Sequence, residues 1–278
     1  MLFIINPISG QGKKERIASY IKDMGHKILY TEYPGHGEHL ARETTEDVVV
    51  AVGGDGTVNE VARGLIGSNK TLGIIPCGSG DGLALHLGIS RDLHKAMEII
   101  ERGNTKPLDA ATINGRLFFS VCGTGLDAIV SEQFALSRRR GLINYIWQTL
   151  KIWMTFKPDM YRIDVDGKVI NTEAAFITVG NSNQWGNNAR ITPLADTSDG
   201  ELDVVIVKML RTLDVPIFLW QLMSGTIYRS RNTLCLRGHN VNITRRTAGP
   251  AHLDGEWFSA PVNLEIKVRP NSLRVIVP

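Results

Sequence analysis

The sequence lacks long hydrophobic runs, and this argues against a membrane-spanning or secreted protein. The longest apolar region, Leu142–Phe156, is interrupted by Asn144, Gln148 and Lys151, so no stretch reaches the roughly 18 apolar residues of a membrane span. The apolar run Leu2–Ile5 is shorter than the roughly seven residues of a secretory signal. We therefore expect a cytoplasmic protein that meets any membrane from the water side.

Cysteine and excess charge of one sign are also scarce. Cys77, Cys122 and Cys235 lie far apart without metal-ligand spacing, which suits a reducing compartment where thiols pack as small apolar groups. The net charge of +3 permits attraction to anionic membranes or phosphates but gives no reason to expect a nucleic-acid partner. The length of 278 residues, with 43% hydrophobic and 21% charged residues, favours a globular protein of two domains.

The first hundred residues alternate between strand and helix periodicities. Four strands are predicted, namely Leu2–Ile5, Lys27–Thr31, Asp47–Val52 and Thr71–Ile75. Helical patterns separate these strands and follow the last of them, which predicts a parallel sheet with helices on its faces. Ligands of such sheets bind beyond the carboxyl ends of the strands, so the loops after Ile5, Val52 and Ile75 are the candidate binding loops.

After about residue 108 the pattern becomes that of antiparallel strands. Asn114-Gly115 lies between the predicted strands Leu108–Ile113 and Arg116–Cys122. Asp166-Gly167 lies in the same way between Tyr161–Val165 and Lys168–Ile170, so two hairpins are predicted. Helical patterns near 126–154 and 213–228 interrupt these strands. We predict an α/β domain over residues 1–108, to which residues of about 270–278 return, and a mainly antiparallel β domain over residues 109–269. Later strands are predicted at Ala174–Val179, Leu202–Lys208, Val241–Thr244, Leu264–Val268 and Leu273–Val277.

The loop Gly53–Thr57 reads Gly-Gly-Asp-Gly-Thr and opens a predicted helix. Glycines let the backbone approach a ligand closely, and the free N–H groups of a helix start bind anions. Asp55 would repel a phosphate unless a cation lay between them, and Mg²⁺ binds through a carboxylate, phosphates and waters. The alternative is a tight turn with Asp55 as the helix N-cap. The position at a strand-to-helix junction favours the phosphate site.

Two more loops are expected at the same sheet edge. Asn6–Gly10 follows the first strand, and the glycine-rich segment Pro76–Gly82 follows the fourth. The first of them does not continue into a P-loop, since Gly12-Lys13 is followed by Lys14 rather than Ser or Thr. Each loop alone is a weak signal, but three of them at one edge predict a phosphate-binding site.

These motifs, taken in order, resemble the diacylglycerol kinase catalytic family, which includes bacterial lipid kinases and sphingosine and ceramide kinases. The motifs are Gly53–Glu60, Asn6-Pro7, Gly78–Gly80, Gly123–Ala128, Asp196–Val204 and Asp254–Glu256. The resemblance implies an α/β nucleotide domain related to NAD kinases, a β-sandwich domain, and a site in the cleft between them. It also implies ATP as phosphoryl donor and Mg²⁺.

The resemblance further implies roles for individual residues. Glu256 would be the general base, with Asp254 and Asp55 as the other catalytic carboxylates. A magnesium site would involve Asp196, Asp199 and the backbone of Glu201. The residues implied at the nucleotide are Asn6, Pro7, Ser9, Gly10, Thr31, Gly53, Gly54, Gly56, Thr57, Asn59, Gly78 and Ser79.

The chemistry of Glu256 can also be argued from the residues. Phosphoryl transfer needs charge neutralisation and in-line positioning, and a carboxylate can accept the proton of the attacking alcohol. Asp254 stands two residues away, and a like charge at close range raises the pKa of one carboxyl group. The alternative is a polar turn beside Trp257 and Phe258. Without the resemblance, the two interpretations are level.

The sequence departs from the family pattern in the third loop. Many bacterial members carry Gly-Thr-Gly-Asn-Asp-Phe, whereas this chain has Gly78-Ser79-Gly80 followed by Asp81, closer to the sphingosine-type pattern. The acceptor is therefore expected to be diacylglycerol or a related lipid such as a sphingoid base. The alternatives are an NAD kinase-type enzyme acting on a soluble dinucleotide, or an inactive lipid-binding homologue.

A lipid substrate at a membrane surface is the expected partner, and peripheral membrane contact and a homodimer are considered with it. Ile143, Trp147, Leu150 and Met154 form a helical stripe after the arginines 138–140, and such a helix can rest on an anionic bilayer. The alternative, a core helix beside a solvated arginine cluster, is somewhat favoured. The expected location is the cytoplasm, with transient contact at the inner face of the membrane.

Overall fold

The computed structural model describes residues 1–8, 14–136, 149 and 151–278. Its first part alternates strands and helices, as the periodicity predicts. These elements are β1 (Leu2–Ile5), α1 (Lys14–Asp23), β2 (Lys27–Tyr30), α2 (His36–Glu43), β3 (Val48–Gly53), α3 (Asp55–Leu65), β4 (Thr71–Pro76), α4 (Gly82–His86) and α5 (Leu93–Arg102).

The second part is rich in strands. Its helices are α6 (Leu126–Leu136), the helical residues 151–155 and α7 (Val215–Ser224). Its strands are β5 (Thr105–Ile113), β6 (Arg116–Phe118), β7 (Val121–Gly125), β8 (Asp159–Val165), β9 (Lys168–Ala174), β10 (Phe176–Gly180), β11 (Leu202–Val207), β12 (Thr233–Gly238), β13 (Asn240–Thr244), β14 (Gly249–Leu253), β15 (Glu256–Ala260) and β16 (Asn263–Ile276).

The strands form two sheets. The larger has the order β2-β1-β3-β4-β16-β13-β8-β9, with β5 and β6 attached beside β16. Its strands β2, β1, β3 and β4 run parallel, and so does the end of β16, through the pairs of Arg274 with Thr71 and Val275 with Leu72. The smaller sheet is antiparallel, with the order β12-β11-β10-β7-β14-β15.

The strands β1, β3 and β4 are buried on both faces and are almost continuously apolar, whereas the edge strand β2 is partly exposed. The core of this parallel part joins strands such as β1 and β3 to the apolar faces of α3 and α5. A second core fills the space between the two sheets, with Ile163, Ile177 and Val204 among its fully buried residues. This arrangement confirms the predicted fold class, an NAD kinase-like α/β part followed by an antiparallel β sandwich.

Several predicted strand boundaries are wrong. The segments 264–268 and 273–277 are one strand, β16, whose register shifts between Arg269 and Leu273, so a bulge and not a chain reversal separates them. The segment 116–122 is divided between β6 in the larger sheet and β7 in the smaller one. Strands β12, β14 and β15 were not predicted.

The domain division stays a prediction, although the end of β16 does join the parallel strands and residue 108 lies inside β5. The predicted helix through 126–154 is described for α6 and for residues 149 and 151–155; its remainder, including Ile143, Trp147 and Leu150, lies outside the described residues. No helix within the described part of the chain is both long enough and apolar enough to cross a membrane.

Candidate active site

The three predicted loops meet at the carboxyl edge of the parallel strands. Asn6 Nδ2 donates a hydrogen bond to Thr57 Oγ1 at 3.1 Å, which joins the first loop to α3. The amide of Cys77 donates to the Gly53 carbonyl at 2.8 Å, and the amide of Gly82 donates to Asp55 Oδ1 at 2.7 Å. The predicted convergence is therefore confirmed for residues 6–8, 53–57 and 78–82, while Ser9 and Gly10 lie outside the described residues.

Glycine is required where the second and third loops touch. A Cβ atom on Gly78 would stand 2.6 Å from the Cα atom of Gly54, and one on Gly80 would stand 2.8 Å from Asp55 Oδ2. The first separation means that the backbones of the two loops can pack together only without a side chain at Gly78, and the second means that a side chain at Gly80 would displace the Asp55 carboxylate. The result is a surface of backbone groups at the end of the sheet.

The start of α3 presents free amides to this surface. The N-cap is Gly54, not Asp55 as in the tight-turn alternative, and within the described residues no side chain caps this end. Asp55 is the first helical residue, and its Oδ1 is already bonded across to the third loop. The first-turn N–H groups and the helix dipole therefore favour an anion here.

The surroundings of Asp55 disfavour its ionised form. Burial first, and the nearby carboxylate of Asp81 second, raise the pKa of Asp55 to about 6, while the Gly82 amide opposes the rise. A cation beside Asp55 would relieve both causes, and a carboxylate oxygen is a ligand that Mg²⁺ prefers. Asp55 therefore fits the proposed magnesium ion, which would also neutralise phosphate charge at the α3 terminus.

The unusual Asp81 has a partner that the sequence did not suggest. Its backbone is left-handed, with a φ of 49°, and its side chain is buried. Asp81 Oδ1 accepts from the Gly78 amide at 2.8 Å, and Oδ2 accepts from Arg91 Nε at 2.8 Å. Arg91 also donates to the Gly80 carbonyl at 2.9 Å and to Asn187 Oδ1 at 3.1 Å. The charge added at position 81 is thus paired, and the pair holds the third loop in shape.

Replacing Arg91 with alanine is expected to lower the free energy of unfolding by about 2 kcal/mol, because a buried carboxylate loses a charged donor. Adding Asp81→Asn to this variant removes the unpaired charge and should restore part of the loss. Chemical denaturation of the wild type, both single variants and the double variant measures the coupling. Additive effects of the two substitutions would contradict the pairing.

Asp254 lies in the β14–β15 hairpin turn, where it and Gly255 have φ values of 49° and 84°. Both of its carboxylate oxygens accept hydrogen bonds. Oδ1 accepts from the amides of Ser120 and Val121 at 2.8 and 3.0 Å. Oδ2 accepts from Asn59 Nδ2 at 2.9 Å and from the Phe119 amide at 3.0 Å. Asp254 therefore fastens the turn to α3, across 195 positions of sequence.

Burial raises the pKa of Asp254, and the three backbone amides oppose the rise. The Asp254 oxygens already accept hydrogen bonds from the Asn59 side chain and from three backbone amides. We therefore infer that Asp254 and Asn59 hold the β14–β15 turn in position. A catalytic role for Asp254 and a nucleotide contact for Asn59 stay predictions.

Glu256 follows this turn directly, and its carboxylate lies beside α3. Its Oε1 lies 3.9 Å from the point where a Cβ atom on Gly56 would stand, beside the first turn of the helix. The side chain is exposed and lies at the wall of a cleft of about 440 Å³. The other residues lining the cleft are Glu38, Arg42, Arg63, Ile66, Arg116, Leu117 and Leu253.

The predicted magnesium ligands lie in a different setting. Asp199 and Glu201 both form ion pairs with Arg237, which also contacts Asp203. Asp196 Oδ1 accepts from the hydroxyl of Ser198 at 2.7 Å. Within the described residues no three His, Cys, Asp or Glu side chains are placed to hold a metal ion. The guanidinium of Arg237 thus supplies the positive charge here, and the metal role of Asp196, Asp199 and Glu201 stays a prediction.

The loop after β2 is held by a residue whose role was not predicted. Glu60 accepts from the amides of Gly35 and Gly37 at 2.7 and 3.0 Å, and so ties this loop to α3. Thr31 is buried, and its amide donates to the Ile5 carbonyl at 3.0 Å. The predicted position of Thr31 near the adenosine part of the nucleotide stays a prediction, and so do the nucleotide contacts of Pro7 and Ser79. Glu60 ends the Gly53–Glu60 motif, and this was the only signal for its role.

Two family models match the chain. Residues 1–113 match the diacylglycerol kinase catalytic domain, and residues 120–277 match the YegS C-terminal NAD kinase beta sandwich-like domain. A solved structure titled as a diacylglycerol kinase from Bacillus anthracis superposes with a TM-score of 0.80 at 23% identity, covering 100% of this chain and 96% of the other. An NAD kinase from Archaeoglobus fulgidus in complex with ATP gives 0.56 at 12% identity, with coverages of 99% and 92%. Both likenesses support the fold.

Relatives in sequence point the same way. The diacylglycerol kinase of Bacillus subtilis is 27% identical over 268 residues, covering 91% of this chain and 88% of the relative. The Citrobacter koseri protein named "Probable lipid kinase YegS-like" is 30% identical over 247 residues, covering 86% and 80%. The chain belongs to the diacylglycerol kinase catalytic family, with the kinase chemistry and ATP use that this family implies.

Proposed function

We propose that the protein transfers the γ-phosphoryl group of ATP, with Mg²⁺, to a hydroxyl of diacylglycerol or a related lipid. The observation that carries the proposal is the position of Glu256. Its carboxylate stands beside the first turn of α3, where the three loops make an anion site, and it also faces the cleft. A base, a phosphate site and a space for an acceptor are thus adjacent.

The nucleotide would be held by backbone groups more than by side chains. The first-turn amides of α3 and the backbone of Gly53, Gly54 and Gly78 are suited to phosphate oxygens, since they bring N–H groups close without steric hindrance. Asp55 would hold the magnesium ion, which when bound neutralises charge on the transferring phosphoryl group. Asn6 supports this surface through its bond to Thr57.

The acceptor would enter by the cleft at Glu256. There the acceptor oxygen attacks the γ-phosphorus, the bond from that phosphorus to the oxygen bridging to the β-phosphate breaks, and ADP leaves. Glu256 accepts the hydroxyl proton as the new bond forms. Ile66, Leu117 and Leu253 supply apolar walls for the lipid backbone, and the nearby arginines supply donors for its ester oxygens.

The cleft is shaped by the parts that flank it. Arg116 begins β6, and its guanidinium lies 4.3 Å from the centre of the Phe258 ring on β15. This cation–π contact fixes the position of the Arg116 side chain at the cleft. Arg42 forms an ion pair with Glu38 on α2. Of the two carboxylates that line the cleft, Glu38 is thus paired, whereas Glu256 stands beside the first turn of α3 and is open to a substrate.

The alternative, phosphorylation of a soluble dinucleotide, is favoured only by the shared fold and the Gly-Gly-Asp-Gly-Thr motif. We expect purified protein with ATP and Mg²⁺ to phosphorylate diacylglycerol or a sphingoid base in detergent micelles and to leave NAD unchanged. Mass detection of each phosphorylated product checks this. A phosphorylated dinucleotide without lipid product would replace the proposal with the NAD kinase alternative, and no product from any acceptor would support the inactive homologue.

A further inference from the structure

Helix α7 lies at the protein surface although it is apolar on nearly every side. Phe218 and Leu222 are buried against the outer face of the smaller sheet, as expected of a surface helix. The opposite side should then be polar. Instead it carries Ile217, Leu219, Trp220 and Met223, which are 59%, 53%, 66% and 53% exposed.

The apolar surface continues beyond the helix. Leu213, in the short turn before α7, is 88% exposed. We call Leu213, Ile217, Leu219, Trp220 and Met223 the α7 face. Single exposed apolar side chains are ordinary, but a contiguous group with a tryptophan marks a surface that meets another apolar phase.

The charged side chains next to the α7 face are mainly positive. Arg211, Arg229 and Arg231 are exposed at the two ends of the helix. Asp214, beside them, accepts a hydrogen bond from Arg231 at 2.6 Å, so these two charges are paired and the excess positive charge lies on Arg211 and Arg229. An apolar surface with such a margin complements an anionic partner.

A cleft of about 340 Å³ lies beside the helix. Its apolar wall is formed by Ile217 and Phe218, and its polar wall includes Arg229, Ser230 and Arg231. The remaining residues that line it are Asp214, Gln221 and Asn232. An anionic head group with an attached acyl chain would meet cations on one side and apolar side chains on the other.

We propose that the α7 face, with its arginine margin, is the surface by which this protein binds an anionic lipid bilayer. The apolar side chains enter the region between head groups and acyl chains, with Trp220 at the boundary that tryptophan favours, and the arginines contact lipid phosphates. The sequence analysis did not indicate α7 as a membrane contact. The inference does not require the kinase proposal, because binding can be measured without turnover.

The test is co-sedimentation of the full chain with vesicles of equimolar phosphatidylglycerol and phosphatidylcholine, and with vesicles of phosphatidylcholine alone. We expect binding to the anionic vesicles that weakens with added salt. The double variant Leu213→Glu, Trp220→Glu should bind at least about tenfold more weakly, because two inserting side chains become charged. Arg229→Ala should weaken binding to the anionic vesicles only.

Val169→Glu is the matched control, because Val169 is an exposed apolar residue on β9, in the other sheet. It should bind vesicles as the wild type does. Circular dichroism checks that every variant is folded. Turnover of a short-chain, water-soluble acceptor should stay unchanged in the double variant, which separates this inference from the catalytic proposal.

Three outcomes would overturn the inference. They are undiminished vesicle binding by the double variant, equal binding of the wild type to neutral and anionic vesicles, and absence of vesicle binding by the wild type. Light scattering during gel filtration tests whether a second copy of the chain covers the α7 face instead. A dimer of the wild type that the double variant abolishes, without vesicle binding, would assign the α7 face to a second copy of the chain.

Discussion

Replacing Glu256 with glutamine is expected to lower kcat by about 10²–10⁴-fold, the usual contribution of a general base. The amide has nearly the same size and shape as the carboxylate, so the β14–β15 turn and the cleft should keep their form. It cannot accept the proton of the attacking hydroxyl at neutral pH. Nucleotide affinity should change little, because the phosphate site is built from α3 and the three loops.

Steady-state assays with the lipid acceptor and calorimetry with the nucleotide test this expectation together. The matched control is Glu38→Gln, the other carboxylate of the same cleft, which already pairs with Arg42. That variant should keep kcat within about threefold of wild type. The Glu38 carboxylate pairs with Arg42, and the Glu38 backbone lies against Gly64 near the end of α3, not beside its first turn. A kcat for Glu256→Gln equal to that of the wild type would reject Glu256 as the base.

Asp55→Asn is expected to weaken binding of magnesium and nucleotide while it stabilises the folded protein above pH 6. Surroundings that raise the pKa of Asp55 from 3.8 to about 6 disfavour the ionised group in the folded state. The corresponding cost is up to about 3 kcal/mol. Asparagine is neutral and can still accept the Gly82 amide, so the variant avoids this cost.

The sign of the pH dependence follows from the same shift. An acid whose pKa is higher in the folded state binds protons more tightly there, so stability falls as the pH rises from about 4 to about 6. Below that range Asp55 is protonated in both states, and the variant should gain nothing. Thermal denaturation of wild type and variant at pH 4 and pH 8 measures the contribution of Asp55. Asp203 also has a pKa near 6, but it is present in both proteins, so its effect cancels in the difference.

If wild type and variant differed in stability by the same amount at pH 4 and pH 8, the raised pKa of Asp55 would be contradicted. Calorimetry with ATP in the presence and absence of Mg²⁺ then checks its role as a ligand. The wild type should gain affinity from Mg²⁺ and the variant should gain much less. Equal gains would reject Asp55 as a magnesium ligand, whatever the stability data.

The sequence by itself determined the architecture and the place of the site. Strand and helix periodicities are local, so they survive in a single sequence, and parallel strands necessarily align their carboxyl ends. The loops at 6–10, 53–57 and 78–82 could therefore be predicted to meet at one edge of the sheet, and the described residues 6–8, 53–57 and 78–82 do so. Short strands such as β12 and β14 carry a weaker pattern, because burial by distant partners decides whether they form.

Only the tertiary structure decided which charges are paired. Arg91 pairs with Asp81, Arg237 forms ion pairs with Asp199, Glu201 and Asp203, and Asp254 bonds to Asn59 from the far end of the chain. The exposure of α7 was equally hidden, because an apolar helix has the same sequence whether it is buried or not. Such facts depend on contacts between distant residues, and periodicity along the chain carries no information about them.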